Sequence, residues 1–348
     1  MSKYSFLDDY SEGCHPKILE ALSETNLVQQ TAYGNDDYSA KARSLIQTQL
    51  GKIQSAIYFV SGGTLANIII MSSALRSHEA IISANTGHIA MRETGAIEAT
   101  GHKIISVDSD DGKLNASSVA AAVASNAHFP HMAKPKLVYI SNATEAGTIY
   151  TKSELEALSA TCKKHDLLLM MDGARLGAAL TADSNDMSLS DINDLTDIFW
   201  IGGTKAGALL GEAIVIPNPT LADEFDFHIK QRGALLAKGR LLGLQFATLF
   251  SDGLFFELCQ HCNKMAQKIS DAVLANGHEL AESTDSNQVF PILPDAVITR
   301  LEANFSFYRW ESRNNGHSVI RLVTSWASNE AEVDAFIDAM VDASAATS

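Results

Sequence analysis

A single lysine interrupts an apolar, glycine-rich stretch of the chain. Residues 198–211 read IFWIGGTKAGALLG, and Lys205 is the only charged residue in that run. A lysine that only meets solvent does not need two glycines and a threonine before it. A lysine whose amine forms a covalent bond benefits from such surroundings, because a desolvated amine loses its proton more easily and becomes a nucleophile. Lys205 is therefore the first candidate catalytic residue.

A second motif has the composition of a phosphate-binding turn. The stretch SGGTLAN follows the apolar run AIYFV, and a helix is predicted to begin at Thr64. Small residues such as Gly62 and Gly63 let the backbone approach a phosphate, which the free N–H groups of a helix N-terminus can bind. A structural glycine turn capped by threonine explains the motif equally well. The turn contains no GKS/T or GxGxxG pattern, so nucleotide-binding folds gain no support.

Two further loops carry titratable side chains directly after apolar runs. His88 follows AIISA, and its ring can cover a flat ligand or move protons near neutral pH. Asp172 ends the run LLLMMD, where a carboxylate is costly to bury unless a cation meets it. Arg175 or a protonated pyridine nitrogen can supply that cation. A structural histidine and a simple Asp–Arg ion pair are the alternatives.

These elements together match one cofactor. A pyridoxal 5'-phosphate site needs a phosphate cradle, a group over the ring, an acid for the pyridine nitrogen and an amine that forms a Schiff base. Each element follows a successive predicted strand, and ligands of open α/β sheets bind beyond the carboxyl ends of the strands. The predicted cofactor-binding residues are Gly62, Gly63, Thr64, His88, Asp172, Thr204 and Lys205.

The elements that must position these residues form an α/β pattern. Seven short apolar runs alternate with helical stretches, which predicts a mainly parallel seven-stranded sheet covered on both faces. Longer helices follow Pro219, and strands return in QVFPIL, SFYRW and SVIRLVT, which predicts a smaller C-terminal α+β domain. We predict an N-terminal segment over residues 1–50, a large cofactor-binding domain over 51–240 and a small domain over 241–348.

The composition argues against several classes of function. The net charge of −15 and the pI of about 5.1 argue against general binding of nucleic acid or anionic membranes. The uncharged run from Ile53 to Leu75 is long, but its glycine-rich centre argues against a spanning helix. The N-terminus lacks an apolar signal segment, so we expect a cytoplasmic protein. Cys259 and Cys262 lack the second ligand pair of a zinc site, so we expect structural thiols and no metal.

The motifs resemble the threonine aldolase/β-eliminating lyase family of pyridoxal-phosphate enzymes. The matching pieces run in family order over most of the chain and are DDYSEGCHP, AYGNDDY, FVSGGTLAN, TGHIAMRETGAIE, DGAR, GGTKAGALLGEA and LLAKGRLLG. The resemblance implies the PLP-dependent transferase-like fold (fold type I) and a small amino-acid substrate. It further implies a homo-oligomer, a dimer or tetramer with its active site at the subunit interface.

The resemblance also assigns roles within the cofactor site. It implies that Lys205 forms the Schiff base, that Asp172 pairs with the pyridine nitrogen and that His88 stacks on the ring. Residues 62–64 would bind the phosphate. Arg175 would lie near the O3′ atom of the cofactor and near the substrate carboxylate.

Further residues are assigned to the substrate. Arg321 in SVIRLVTSWA matches an arginine that binds the α-carboxylate. Many family members carry serine followed by aspartate near the N-terminus, where this chain has Asp8 and Asp9. Asp8 therefore takes the substrate-positioning place of that serine, and its different chemistry leaves the choice of substrate open.

The neighbouring subunit is expected to contribute residues as well. Arg240 in AKGR matches a basic residue that reaches the phosphate from the next subunit, with Lys238 and Lys230 as alternatives. Tyr33 in AYG matches a motif that enters the site across the same interface.

The implied reaction is cleavage of the Cα–Cβ bond of β-hydroxy-α-amino acids, which turns L-threonine or L-allo-threonine into glycine and acetaldehyde. The β-hydroxyl proton must leave, and His88, His131 in PHMAKPK or a bound water can take it, with His128 close by in sequence. The alternatives are β-elimination or transamination on the same scaffold, and a non-catalytic binding protein.

Overall fold

The structure is a computed structural model that describes residues 3–346. Its strands are β1 (Tyr4–Ser5), β2 (Ala56–Val60), β3 (Glu79–Ala84), β4 (Lys103–Val107), β5 (Lys134–Ser141), β6 (Leu168–Asp172), β7 (Ile198–Gly202), β8 (Glu212–Ile216), β9 (Glu279–Leu280), β10 (Gln288–Val289), β11 (Pro291–Pro294), β12 (Phe305–Ser306), β13 (Tyr308–Ser312) and β14 (His317–Val323). Its α-helices are α1 (Pro16–Thr25), α2 (Asp37–Gln49), α3 (Gly63–Ala74), α4 (His88–Met91), α5 (Ala116–Ser125), α6 (Lys152–Lys164), α7 (Leu176–Leu180), α8 (Leu189–Leu195), α9 (Pro219–Ala222), α10 (Phe225–Gln231), α11 (Arg240–Leu249), α12 (Leu254–Ala275), α13 (Asp295–Leu301) and α14 (Glu330–Ala345).

The seven apolar runs form the predicted seven-stranded sheet. Its strand order is β2-β8-β7-β6-β5-β3-β4, and only β8 runs antiparallel to its neighbours. Because β2 and β7 are both antiparallel to β8, they point the same way. The carboxyl ends of β2, β3, β5, β6 and β7 therefore share one edge of the sheet, and the loops that follow them meet there.

Helices cover both faces of this sheet. Successive residues of a strand point to opposite faces, so Phe199 and Trp200 of β7 enter two separate apolar clusters. All five residues of β7 and all five of β8 are buried. This double burial explains why the runs are continuously apolar rather than alternating.

The C-terminal strands form a second, smaller sheet. Strand β14 pairs antiparallel with β10, β11 and β13. A third apolar cluster lies between this sheet and the helices α12, α13 and α14, and it includes Met265, Val289 and Phe336. The first half of α12, with Leu254 and Phe255, belongs instead to the core of the large sheet. The border between the two apolar cores thus lies within α12. The predicted domain boundary at residue 240 stays a prediction.

The N-terminal segment joins the two parts of the chain. Phe6 lies in the core of the small sheet, and β1 pairs with β12. Ile18 of α1 and Ile46 of α2 lie in the core of the large sheet. The residues between these anchors, including Asp8 and Asp9, therefore cross from one core to the other.

Two properties of residues 3–346 concern membranes and metal ions. Taken singly, none of the helices in this range has the length and apolar composition to cross a bilayer, and α11 with α12 qualifies only as a pair bent by 69°. The same range contains no group of three or more His, Cys, Asp or Glu side chains arranged to hold a metal ion.

Candidate active site

A cleft of about 980 Å³ opens between the carboxyl edge of the large sheet and the small sheet. Its walls combine the two parts of the chain with the N-terminal segment. The lining residues that matter below are Asp8, Tyr10, His88, Arg92, Glu145, Arg175, Lys205, Gln288, Trp310 and Arg321. Three predicted groups, the amine of Lys205, the ring of His88 and the guanidinium of Arg321, thus face one space.

Lys205 lies in a short 3-10 turn directly after β7. Burial and the positive charge of Arg175 lower the pKa of the Lys205 amine, although Asp9 and Asp172 act in the opposite direction. The Nζ atom lies 5.8 Å from the centre of the Tyr10 ring. An amine with a lowered pKa at the wall of a cleft is suited to nucleophilic attack.

A buried carboxylate holds the turn that carries Lys205. Glu212 at the start of β8 accepts hydrogen bonds from the Gly203 N–H at 3.0 Å and from the Thr204 hydroxyl at 3.0 Å. The Thr204 hydroxyl also accepts a bond from the Gly211 N–H at 3.2 Å. The Thr204 hydroxyl, which we predicted to lie near a phosphate, is thus engaged within its own turn.

Asp172 ends β6 as a buried carboxylate that three donors meet. Oδ2 accepts bonds from the Tyr139 hydroxyl at 2.6 Å and from Asn67 Nδ2 at 3.2 Å. Oδ1 accepts a bond from the Ala174 N–H at 3.0 Å. These bonds fix the orientation of an acid at the carboxyl edge of the sheet, where a pyridine nitrogen would need it.

A hydrogen-bonded chain connects His88 with Asp172. His88 Nδ1 lies 2.9 Å from Glu93 Oε1, and that oxygen accepts a second bond from Asn67 Nδ2 at 2.8 Å. Burial opposes protonation of the ring, but the bond to Glu93 and the charges of Asp172 and Glu93 outweigh burial and raise the pKa of His88. With Nδ1 held by Glu93, Nε2 is the ring nitrogen left for a ligand.

Arg175 forms an ion pair with Asp9, not with Asp172. Its Nε and Nη2 atoms donate to the two Asp9 carboxylate oxygens at 2.7 and 3.1 Å. Asn287 Nδ2 donates to the same carboxylate at 2.9 Å. Burial alone would raise the pKa of Asp9, but Arg175 and Lys205 outweigh burial and lower that pKa to about 2.

Within residues 3–346, Arg321 forms no hydrogen bond or ion pair with a carboxylate, although the charges of Asp9 and Asp8 act on it from a longer distance. Its Nε and Nη2 atoms donate to the neutral amide oxygen of Gln288 at 3.1 and 3.0 Å. Burial and the positive charge of Arg175 lower the pKa of Arg321 to about 10. Of these two arginines, Arg175 is therefore bonded to a carboxylate, whereas Arg321 is bonded to a neutral amide.

The Gly62 turn has the form of a phosphate cradle. Gly62 precedes the first turn of α3, and no side chain caps that helix end. A Cβ atom on Gly62 would meet nothing within 4 Å, so the turn borders open space. A Cβ on Gly63 would lie 2.8 Å from Trp200, so the glycine there is required by packing. Val60, two residues before the turn, is paired with Glu212, which brings the turn close to the Lys205 segment.

These features fit pyridoxal phosphate. The uncapped N–H groups of α3 suit the phosphate, and Gly62 leaves room for it. Asp172, His88 and Lys205 offer the acid, the ring and the amine that such a cofactor requires.

His131 does not lie in the cleft of its own subunit. It is exposed in the loop before β5, where its ring lies 4.8 Å from that of His128. The cleft is at the other end of β5, a strand of 8 residues, which corresponds to roughly 25 Å. Among the predicted bases, His88 is the one that the structure brings to the cleft.

Arg240 and Tyr33 also lie outside this cleft, on another face of the chain. Arg240 donates to the carbonyl oxygens of Val28 at 2.5 Å and Thr25 at 2.8 Å. Tyr33 has a positive φ of 59° and is 46% exposed, and Lys230 Nζ lies 5.0 Å from its ring centre. Within one subunit these residues do not meet Lys205, and their assignment to a neighbouring site stays a prediction.

Several residues of the site were not selected from the sequence. Asn67 lies in the SGGTLAN motif and Glu93 lies in the TGHIAMRETGAIE motif. Polar residues within motifs that were already selected are a signal that could have identified both. Asp9 is next to the selected Asp8. Gln288 and Trp310 have no local signal, because their significance depends on their contacts with Arg321.

The chain is similar to known proteins over almost its full length. The family model described as Beta-eliminating lyase matches residues 7–296. The low specificity L-threonine aldolase of Pseudomonas sp. (strain NCIMB 10558) is 33% identical over 332 residues, which cover 94% of this chain and 93% of that protein.

Solved structures give the same result. A threonine aldolase of Leishmania major superposes with a TM-score of 0.95 at 49% sequence identity, covering 97% of this chain and 98% of that one. An aspartate aminotransferase of Thermus thermophilus superposes with a TM-score of 0.72 at 13% identity, covering 98% and 91%. The second likeness concerns the fold alone, and together they confirm the predicted fold class.

Proposed function

Because the chain belongs to the beta-eliminating lyase family, we propose that it cleaves the Cα–Cβ bond of β-hydroxy-α-amino acids. L-Threonine and L-allo-threonine are the proposed substrates, and glycine and acetaldehyde are the products. The observation that carries this proposal is that Lys205, His88 and Arg321, whose guanidinium is bonded to an amide and not to a carboxylate, face one cleft. The similar proteins from Pseudomonas and Leishmania are threonine aldolases by name, which supports the proposal.

Pyridoxal phosphate is the proposed cofactor, and it supplies an electron sink that allows a bond at Cα to break. Residues 62–64 bind its phosphate through backbone N–H groups at the start of α3. Asp172 would hold the pyridine nitrogen, and His88 would cover the ring. Lys205 would hold the cofactor covalently through its amine, and the lowered pKa of that amine supports the role.

Arg321 binds the α-carboxylate of the substrate. A guanidinium without a bonded carboxylate in a buried wall favours an incoming anion, whereas Arg175 already has Asp9 as its partner. Arg175 and Asp8 complete the wall near the substrate. This arrangement selects for amino acids with a free carboxylate.

His88 accepts the β-hydroxyl proton at Nε2. Glu93 holds Nδ1 at 2.9 Å, which fixes the ring and leaves Nε2 free. His131 lies outside the cleft of its own subunit, so it and a bound water are the alternatives to His88.

The active enzyme is a homo-oligomer, a dimer or tetramer. In it, Tyr33 and Arg240 of one subunit extend the cofactor site of the next. The support for this proposal is that both residues lie away from the cleft of their own subunit, while the face around them exposes Leu27 and Val28. Thr204, whose hydroxyl is bonded to Glu212, supports the Lys205 turn next to the phosphate.

The proposed location is the cytoplasm. All four cysteines are free and buried, which suits a reducing compartment. Microscopy of a fluorescent fusion tests the location, and a secreted product contradicts it.

The test of the reaction is aldehyde release from L-threonine, L-allo-threonine and L-serine by purified enzyme loaded with pyridoxal phosphate. Lys205→Ala abolishes turnover and the visible absorption of the bound cofactor, while Lys163→Ala on the exposed face of α6 retains both. Threonine cleavage at the wild-type rate by Lys205→Ala contradicts the assignment. Pyruvate and ammonia from serine, or amino transfer to a keto acid, instead of aldehyde support the alternative reactions.

A further inference from the structure

Gln288 binds one edge of the Arg321 guanidinium. Both the Nε and the Nη2 atoms of Arg321 donate to the same Oε1 atom of Gln288, at 3.1 and 3.0 Å. Gln288 is 1% exposed, and its own Nε2 atom donates to the carbonyl oxygen of Thr144 at 3.1 Å. This second bond fixes the amide so that its oxygen, not its nitrogen, faces the arginine.

Trp310 covers the same guanidinium from a different direction. The centre of its ring lies 5.3 Å from Arg321 Cζ and 5.6 Å from Arg92 Cζ. Within the β13–β14 ladder, Arg309 pairs with Ile320 and Glu311 pairs with Val319, so Trp310 is the extra residue of a β-bulge. A bulge redirects a side chain that a regular strand would aim elsewhere.

We infer that Gln288 and Trp310 are positioning residues that present the Nη1 edge of Arg321 to the carboxylate of the substrate. The inference rests on the proposed function and deepens it. Within residues 3–346, the hydrogen bonds of Arg321 involve Nε and Nη2, and Nη1 has none. The two oxygens of a carboxylate can therefore accept hydrogen bonds from Nη1 and from the second hydrogen of Nη2.

The neutrality of Gln288 is essential to this role. A glutamate at this position would orient Arg321 equally well but would also neutralise it, as Asp9 neutralises Arg175. An amide fixes the direction of the guanidinium and leaves its charge for a ligand. Arg175 and Arg321, two of the arginines that line the cleft, thus differ in the partner of the guanidinium, which is a carboxylate for Arg175 and an amide for Arg321.

The test compares glycine with glycinamide, which lacks the carboxylate charge. Dissociation constants are measured by spectral titration of the cofactor-loaded enzyme, together with kcat and KM for L-threonine. In Gln288→Glu, glycine binding weakens on the order of 100-fold, whereas glycinamide binding changes by less than about 3-fold. KM rises much more than kcat falls. Gln267→Glu, the same charge change on the exposed side of α12, leaves all values as in the wild type.

Trp310→Ala provides a second variant for the same binding measurement. Because Trp310 is 41% exposed, its substitution does not alter a fully buried position as Gln288→Glu does. We expect glycine binding to weaken about 5-fold, with Trp310→Phe restoring most of it. Equal losses for glycine and glycinamide, or an unchanged ratio in both variants, overturn the inference. If Gln288→Glu weakens glycine binding but not glycinamide binding, and the wild-type enzyme releases no aldehyde from threonine, the proposed reaction is wrong. The role of Gln288 is then still supported.

Discussion

At the scale of single residues, the cleft assigns different partners to chemically identical groups. Arg175 and Arg321 both line it, yet one donates to a carboxylate and the other to an amide. A bonded carboxylate neutralises a buried guanidinium, whereas a guanidinium bonded only to an amide keeps more of its charge for an anionic ligand. The partner of each arginine therefore indicates its role.

The Asp9–Arg175 pair is expected to stabilise the fold. Asp9→Asn leaves a buried guanidinium without its counter-charge, so we expect the free energy of unfolding to fall by about 3 kcal/mol. Urea denaturation measures this loss. Asp8→Asn, at the neighbouring half-buried position, serves as the control and costs less than about 1 kcal/mol. Similar losses for both variants contradict the special role of Asp9.

The same pair has a defined pH dependence. Its carboxyl pKa is lowered from 3.8 to about 2 in the folded chain, so its stabilising contribution is present above pH 3.8. That contribution is lost as the pH falls through about 2. Stability curves of wild type and Asp9→Asn should therefore converge only in strong acid.

Glu93 is expected to set the pH at which His88 becomes a base. Glu93→Gln keeps an acceptor oxygen but removes the negative charge that helps to raise the pKa of His88, so that pKa falls. Because the neutral ring accepts the proton, the rising limb of kcat/KM for L-threonine moves to lower pH. Glu98→Gln, exposed on the same segment, leaves the profile in place. A profile that Glu93→Gln does not shift excludes His88 as the base.

At the scale of elements, the segment from β7 to β8 positions Lys205, the proposed catalytic lysine. Glu212 joins the start of β8 to the turn that carries Lys205 through the Gly203 N–H and the Thr204 hydroxyl. Burial raises the pKa of Glu212 to about 8, against the lowering effect of these two bonds. The turn therefore depends on a carboxyl group that changes its charge near neutral pH.

This group makes stability fall with pH in the neutral range. The pKa of Glu212 rises from 4.5 unfolded to about 8 folded, so the folded chain holds more protons between these values. The free energy of unfolding therefore declines as the pH increases from 4.5 to 8. Glu212→Gln removes that decline, which urea midpoints of cofactor-free enzyme at pH 6 and pH 8 measure. An identical decline in the variant contradicts the raised pKa.

At the scale of the whole molecule, the face that carries Tyr33 and Arg240 is the proposed subunit interface. Leu27 on this face is 92% exposed, which is costly for a large apolar side chain unless another surface covers it. The bonds of Arg240 to the Thr25 and Val28 carbonyls hold this segment in place.

A charge on this face is expected to separate the subunits. Leu27→Asp lowers the molar mass measured by light scattering and weakens cofactor binding, because neighbouring residues no longer reach the phosphate. Leu274→Asp, at a 53% exposed position on α12, is the matched control and retains the wild-type mass. If Leu27→Asp also retains it, the interface lies elsewhere.

The sequence by itself determined the sheet and the residues that follow its strands. Continuous apolar runs are required wherever both faces of a strand are buried, and parallel strands bring their following loops to one edge. Lys205, Asp172 and His88 could therefore be selected, and with them pyridoxal phosphate as the predicted cofactor. The same rule places His131 away from the cleft of its own subunit, because it precedes β5 rather than following it.

Only the tertiary structure decided which hydrogen-bond or ion-pair partner each polar side chain of the cleft has. Asp9 and Arg175 are 166 residues apart, and Asn67 and Asp172 are 105 apart. Hydrogen bonds and ion pairs over such separations depend on how the strands and the N-terminal segment pack, and no local pattern records that packing. The sequence thus predicted the chemistry of the cleft, whereas the fold determined which side chains share it and which of their charges are already paired.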